Sequence, residues 1–203
     1  MRWATHDRTR LERSAEARGR PDTSPCPWRR PAPLLLLGLL LALGLPGAAG
    51  SVSVAEEYEL KAAFLYQFTK YVNWPDAATG PVSICVLGED PFGSTLDETL
   101  ANKTAKGQPI VARRIRSAGA VASCRILFVS RSEQPRLDAT LAALHGQATL
   151  TVSDMVGFPS QGGMIHLKVV DDRIKLEINP DNAERAGLKI RSELLRLAEL
   201  VRN

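Results

Sequence analysis

Pro81-Val-Ser-Ile-Cys-Val-Leu-Gly88 is the stretch around which the fold is organised. Its core, Val82 to Leu87, is apolar except for Ser83, is β-branched at Val82, Ile84 and Val86, and is closed by Gly88 before the polar Glu89, Asp90 and Pro91. A strand buried on both faces reads this way, because neither of its faces meets water. The stretch therefore predicts a central strand of a helix-covered sheet. It also carries Cys85.

Downstream, Phe92 to Asn102 reads as a helix through Phe92, Leu96 and Leu100, and Gln108 to Arg113 as a short strand. Cys124 to Ser130 is a second apolar strand, Pro135 to Leu144 a helix, and Ala148 to Val152 a further strand. Strands alternating with helices of about ten residues point to parallel pairing. The pattern then changes. Gly163 to Val170 and Arg173 to Asn179 alternate and are joined by Asp171-Asp172 alone, a connection that only an antiparallel hairpin can use. Pro180 to Ala186 and Ser192 to Val201 are expected as closing helices, the second with Leu194, Leu195, Leu197, Ala198 and Val201 turned inward.

Upstream, Glu56 to Val72 places Leu60, Ala63, Phe64, Phe68, Tyr71 and Val72 at spacings of three and four, with Glu57 and Lys61 as an i,i+4 pair on another face. The predicted helix ends before Trp74-Pro75, since a residue preceding proline avoids helical geometry. The expected fold is α/β, a three-layer sandwich. Its central sheet is mixed but mostly parallel, ends in an antiparallel hairpin, and has helices on both faces.

The first fifty residues have a different character. An arginine-rich start runs into the apolar stretch Leu34 to Leu45, then Pro46 and the small residues Gly47 to Gly50. That order is the one a secretory signal peptide takes, and twelve apolar residues fall short of the roughly twenty that span a bilayer. A retained anchor and a twin-arginine signal at Arg29-Arg30 are the alternatives. Residues 51–203 are expected as a single domain outside the cytoplasm, with no membrane insertion once the leader is removed. The formal net charge of +4 resides in the leader, because from Ser51 onward 18 Lys and Arg face 18 Asp and Glu. That balance argues against nucleic acid as a partner.

No persuasive catalytic constellation is legible. Past the leader only His145 and His166 occur, neither with a second His or Cys nearby, so no metal site is expected. Gly88 and Gly93 have the spacing of P-loop glycines, but Ser94-Thr95 stands where the phosphate-holding lysine belongs. There is no Gly-x-Ser-x-Gly elbow, and Asp154, Asp171 and Asp172, beside turns, read as solvated carboxylates. The expectation is a protein without enzymatic activity or cofactor. Cys85 and Cys124 are the best physical signal: on neighbouring strands in an oxidising compartment they would pair, the alternative being two buried free thiols.

The helix Tyr58 to Pro75, the segment Leu150-Thr-Val-Ser-Asp154 with Gly157-Phe158, the run Gly162-Gly163-Met164-Ile165, and Leu176-Glu177-Ile178-Asn179 before Ala186-Gly187-Leu188 together resemble the YfiR-like family of exported bacterial regulators. The resemblance covers Tyr58 to Val201. It implies a non-enzymatic periplasmic protein, often a homodimer, that restrains the periplasmic part of an inner-membrane signalling enzyme. In the best-known branch that enzyme is a diguanylate cyclase, so loss of the regulator raises cyclic di-GMP and favours biofilm; relatives serve other sensors such as histidine kinases. The family disulfide carries over onto Cys85 and Cys124, whereas the second cysteine pair of that branch, near Ser153 to Met164, has no counterpart here. Partner contact is expected at the hairpin and the segment after it, at Ile165, Glu177 and Ala183. Gly162, Gly163 and Asn179 are expected to permit turns and bulges. A different class of function, a periplasmic small-molecule-binding module, would use the aromatic helix and the loop Asp154 to Gly163 as a pocket.

Overall fold

A computed structural model describes residues 53–76 and 80–202, and the expected leader lies outside the described residues. Helix α1 runs over Val54–Tyr71. It starts before Glu56 because Ser53 and Glu56 form a capping box: the Glu56 amide donates to Ser53 Oγ (3.2 Å) and the Ser53 amide to Glu56 Oε2 (2.8 Å). The chain leaves it through β1 (Val72–Asn73) and enters β2 (Val82–Leu87), all six of whose residues are buried, as an unbroken apolar run requires. Next come α2 (Ser94–Leu100), β3 (Thr104–Ala105) and β4 (Gln108–Ile115). A 3-10 segment, Ala118–Ser123, precedes β5 (Ile126–Val129), and another, Arg131–Arg136, leads into α3 (Leu137–Ala143). The chain continues through β6 (Leu150–Ser153), the 3-10 turn Phe158–Gln161, β7 (Ile165–Val170) and β8 (Arg173–Ile178). It closes with α4 (Pro180–Arg185), β9 (Lys189–Ile190), α5 (Ser192–Leu195) and β10 (Ala198–Leu200).

Eight strands form one sheet in the order β10-β8-β7-β6-β5-β2-β4-β3, and β1 pairs with β9 separately. Pairing is parallel from β4 through β2, β5 and β6 to β7, and antiparallel between β7 and β8. The turn between β7 and β8 holds Asp171 at φ 49° and Asp172 at φ 56°, the left-handed pair that a two-residue hairpin needs to match strand twist. The two faces of β2 meet two cores. Ile84 and Val86 pack with α1, α2 and α4, whereas Cys85 and Leu87 pack with Leu137 and Leu141 of α3 and with Phe158. This is the expected three-layer α/β sandwich. Among the described residues, no helix is long and apolar enough to cross a membrane.

Two expectations need correction. The single helix over Ser192 to Val201 does not form: α5 stops at Leu195 and the chain becomes β10, a strand outside the hairpin and parallel to β8. Val201 donates its amide to Ile178 O (2.8 Å), and Leu197 is 78% exposed rather than turned inward. The unpaired backbone edge of β8 offers hydrogen bonds that a short helix at the surface cannot better. The buried face of α1 is also rotated. It comprises Lys61, Ala62, Leu65, Phe68 and Thr69, while Leu60 is 44% exposed and Phe64 and Tyr71 are half-buried.

Candidate functional site

The rotation of α1 has an electrostatic cause. Lys61, 0% exposed, lies against the sheet and donates to Asp154 Oδ2 (2.6 Å), just past the end of β6, and to Glu57 one turn earlier on α1. The Tyr58 hydroxyl donates to the same Asp154 oxygen (2.8 Å), and Arg131 Nε stands 3.2 Å from Oδ1. That last contact has ion-pair distance without hydrogen-bond alignment, so Oδ1 is buried and lacks a directed donor. Phe92 packs edge-on against both Tyr58 and Phe128, which seals the cluster from the apolar side. Burial pushes the Asp154 carboxyl up, but the hydrogen bond and charge of Lys61, with Tyr58 and Arg131, outweigh it and hold the group below the usual range. Burial and the bond to Asp154 raise Tyr58 above an ordinary phenol.

Asp154 is thus buried, not solvated, and Glu57 and Lys61 are not merely a surface pair. The signal was present in the sequence: Lys61 is four residues before Leu65 and seven before Phe68, on the face those two bury. The Tyr58 hydroxyl and the Lys61 amine both commit hydrogens to carboxylates inside the protein. The cluster fastens α1 to the sheet.

It sits at the carboxyl ends of the parallel strands, where open α/β sheets receive ligands. The chain steps from β2 outward to β4 and then back to β5, so the switch point lies between β2 and β5. Its own side chains fill that crevice. A Cβ on Gly88 (φ 89°) would come within 2.4 Å of Ser132 Oγ, which already accepts the Glu89 amide (2.8 Å), and Glu133 is buried beside it. The glycine at the head of the P-loop-like spacing serves this close approach.

Cys85 in β2 and Cys124 ahead of β5 are joined in a disulfide, with Cα atoms 5.8 Å apart. Of the three residues expected at a partner surface, Ile165 and Ala183 are buried in the core and offer no side-chain surface. Both side chains are used internally. Glu177 faces His166 across the β7 and β8 ladder and bridges two donors: His166 Nδ1 donates to Oε2 (2.7 Å) and Lys168 Nζ to Oε1 (2.7 Å). Burial raises the Glu177 carboxyl, and the bonds from His166 and Lys168 more than offset this, leaving it below its usual range. His166 is therefore a buried, satisfied histidine. Glu199 of β10 stands in register beside Glu177, so two glutamates lie next to each other on the face that carries His166 and Lys168.

Gly162 is left-handed at φ 101°, as a turn requires, whereas Gly163 is needed for space: a Cβ there would lie 2.3 Å from the Phe158 ring. Asn179 does not shape a bulge. Its side chain caps α4 by accepting the Asn182 amide (3.1 Å). Gln161 and Gly162 of the loop line one cavity, and Thr69 and Trp74 another. Among the described residues no cluster of His, Cys, Asp and Glu could hold a metal ion.

Two solved structures are similar in backbone. The ABC domain in complex with L-Trp from Streptococcus pneumonia is 13% identical at a TM-score of 0.50, covering 69% of this chain and 60% of that one. A conserved domain protein from Vibrio cholerae O1 is 14% identical at a TM-score of 0.49, covering 72% of this chain and 60% of that one. The chain thus spans about three fifths of the length of each, and at such identity the first bears on the fold alone. The sequence itself matches the family described as YfiR/HmsC-like over residues 58–199, from Tyr58 of the charge cluster through the disulfide and hairpin to Glu199. The chain belongs to the YfiR/HmsC-like family.

Proposed function

We propose that this protein is an exported, non-enzymatic regulator that binds the periplasmic domain of an inner-membrane signalling enzyme, a diguanylate cyclase, and restrains it. Residues 1–50 serve as the removable leader and 51–203 as the working domain. The observation that carries this reading is the family match over residues 58–199. The outer face of β7, β8 and β10 is the contact surface. There Glu177 holds Lys168, whose side chain is 41% exposed, in a fixed geometry, and Ile165 and Ala183 act from beneath by holding the hairpin in place. Paired charges held on a rigid sheet favour partner selection over raw affinity.

The test is genetic and chemical. Deleting the gene in cells that express the cyclase should raise cyclic di-GMP, read by mass spectrometry, and the wild-type chain should restore it. Glu177→Lys, which reverses the charge beside Lys168, should export normally and fail to restore it. Unchanged cyclic di-GMP on deletion, or full restoration by Glu177→Lys, would refute the reading and its surface respectively.

A further inference from the structure

Two clefts open around the amino-terminal ends of β2, β4 and β5, at the end of the sheet away from Asp154. On the α1 side, a cavity of about 480 Å³ is lined by Thr69, Trp74, Val82, Lys106 and Arg125 among others. On the disulfide side, one of about 730 Å³ is lined by Arg113, Ser123, Cys124, Arg125 and Gln147 among others. Asp76 and Arg125 line both. Two bonds, of 2.7 and 3.0 Å, join that carboxylate and guanidinium, which form the partition between the clefts.

Three observations set this region apart. Each cleft has a wall residue with a buried polar atom that is unpaired among the described residues: Trp74 Nε1 lacks an acceptor there and Gln147 Oε1 a donor. Buried groups are normally paired, and those left over call for an explanation. The charge is also lopsided. Lys106, Arg113 and Arg125 line the clefts against the single carboxylate of Asp76, and Arg113 meets the Ser123 hydroxyl (2.5 Å) rather than an acid. Lys106 and Arg113 have no ion-pair partner among the described residues. Finally, Lys106 sits at φ 50° in the tight turn Lys106-Gly107 between β3 and β4. The other non-glycine residues at positive φ are Asn102, Asp171 and Asp172, types that tolerate it, so a lysine there is strained backbone at a cleft wall.

We propose that the paired clefts bind a small organic dianion, a dicarboxylate or phosphate ester, that also carries a hydrogen-bond donor. One anionic group lies between Lys106 and the Trp74 indole N–H, the other meets Arg113, and the donor meets Gln147 Oε1. Arg125 serves both halves by exchanging Asp76 for the ligand. In that exchange the Asp76 carboxylate returns to water, its side chain being 63% exposed.

The experiment tracks the Trp74 indole resonance in proton–nitrogen correlation spectra of the full chain, identified by its loss in Trp74→Phe. Inorganic phosphate and succinate are titrated at constant ionic strength. The expected result is a saturable downfield shift with a millimolar Kd. Lys106→Gln with Arg113→Gln should weaken it at least tenfold in a variant whose spectrum shows it folded, while Arg136→Gln leaves it unchanged, Arg136 pairing with Glu133 at the opposite end of the sheet. A shift that chloride reproduces, no saturable shift, or an unchanged Kd in the double variant would overturn the proposal. The cyclase reading stands or falls separately, since its test does not involve these residues.

Discussion

Asp154→Ala is the sharpest probe of the buried charge cluster. The carboxylate is 3% exposed and faces a lysine that is 0% exposed at 2.6 Å. Removing it leaves the Lys61 ammonium inside the protein with Glu57 alone, whose side chain is 21% exposed, and deprives the Tyr58 hydroxyl of its acceptor. Breaking a buried pair from one side costs about 3–5 kcal/mol, and the surviving Glu57 contact places this case near the lower end, about 3 kcal/mol. With a urea m-value of about 1.5–2 kcal/mol/M for a domain of this size, the midpoint should fall by about 1.5–2 M. Lys61→Met combined with Asp154→Leu removes both charges at once and should recover most of the loss, because well-packed apolar residues often match a buried pair. The pH dependence has a defined sign. The folded-state carboxyl lies below its unfolded value, so its contribution is fully present above the unfolded pKa of about 3.9 and is lost as pH falls through the lower folded value. The gap between wild type and Asp154→Ala should therefore hold between about pH 5 and 8 and close below about pH 4. A midpoint within about 0.3 M of wild type, or a double variant no better than the single, would show that the cluster does not fasten α1 to the sheet.

Serine at both Cys85 and Cys124 releases a loop of 39 residues and should cost about 4 kcal/mol by the chain-entropy relation, measured by urea unfolding with and without reductant; wild type under reductant should match the variant. Gly163→Ala should destabilise by about 1–3 kcal/mol, since the Phe158 ring 2.3 Å from the new methyl must move within a packed core; Gly119→Ala, whose nearest neighbour is 4.0 Å away, is the control in the same melt. Glu177→Gln should flatten the acid limb of the stability profile. Its lowered carboxyl stabilises the fold above the unfolded pKa of about 4.3, and that contribution fades as pH drops through the folded value, so the two proteins should differ at pH 6 and converge near pH 3.

The local pattern of this chain contained its architecture. The run Val82 to Leu87 reads as a two-faced strand, Asp171-Asp172 as the turn of a hairpin, and Cys85 within one strand and Cys124 at the start of its neighbour as a pair able to bond. These readings rest on periodicity and chain length, which act over a few residues and do not depend on distant partners. The charge cluster was not legible in the same way. Lys61 and Asp154 are 93 residues apart, and local rules assign the first to an exposed ion pair and the second to a turn; only packing α1 across the end of β6 brings them within 2.6 Å. Ile165 and Ala183 show the converse: the resemblance assigns them to partner contact, and only the assembled core encloses both side chains.

The same division runs through the last ten residues. Leu194 to Val201 can satisfy a helix or a strand, and its sequence holds no preference strong enough to choose. The free edge of β8 chooses, because a strand laid there pairs backbone groups along an existing ladder, while a short helix would need a nucleus and a packed face of its own. Sequence alone determined which segments alternate and which are wholly apolar, and hence the layers and the central strand. The tertiary structure decided what each ambiguous segment and each charge is paired with, because burial and pairing energies depend on neighbours that local sequence does not specify.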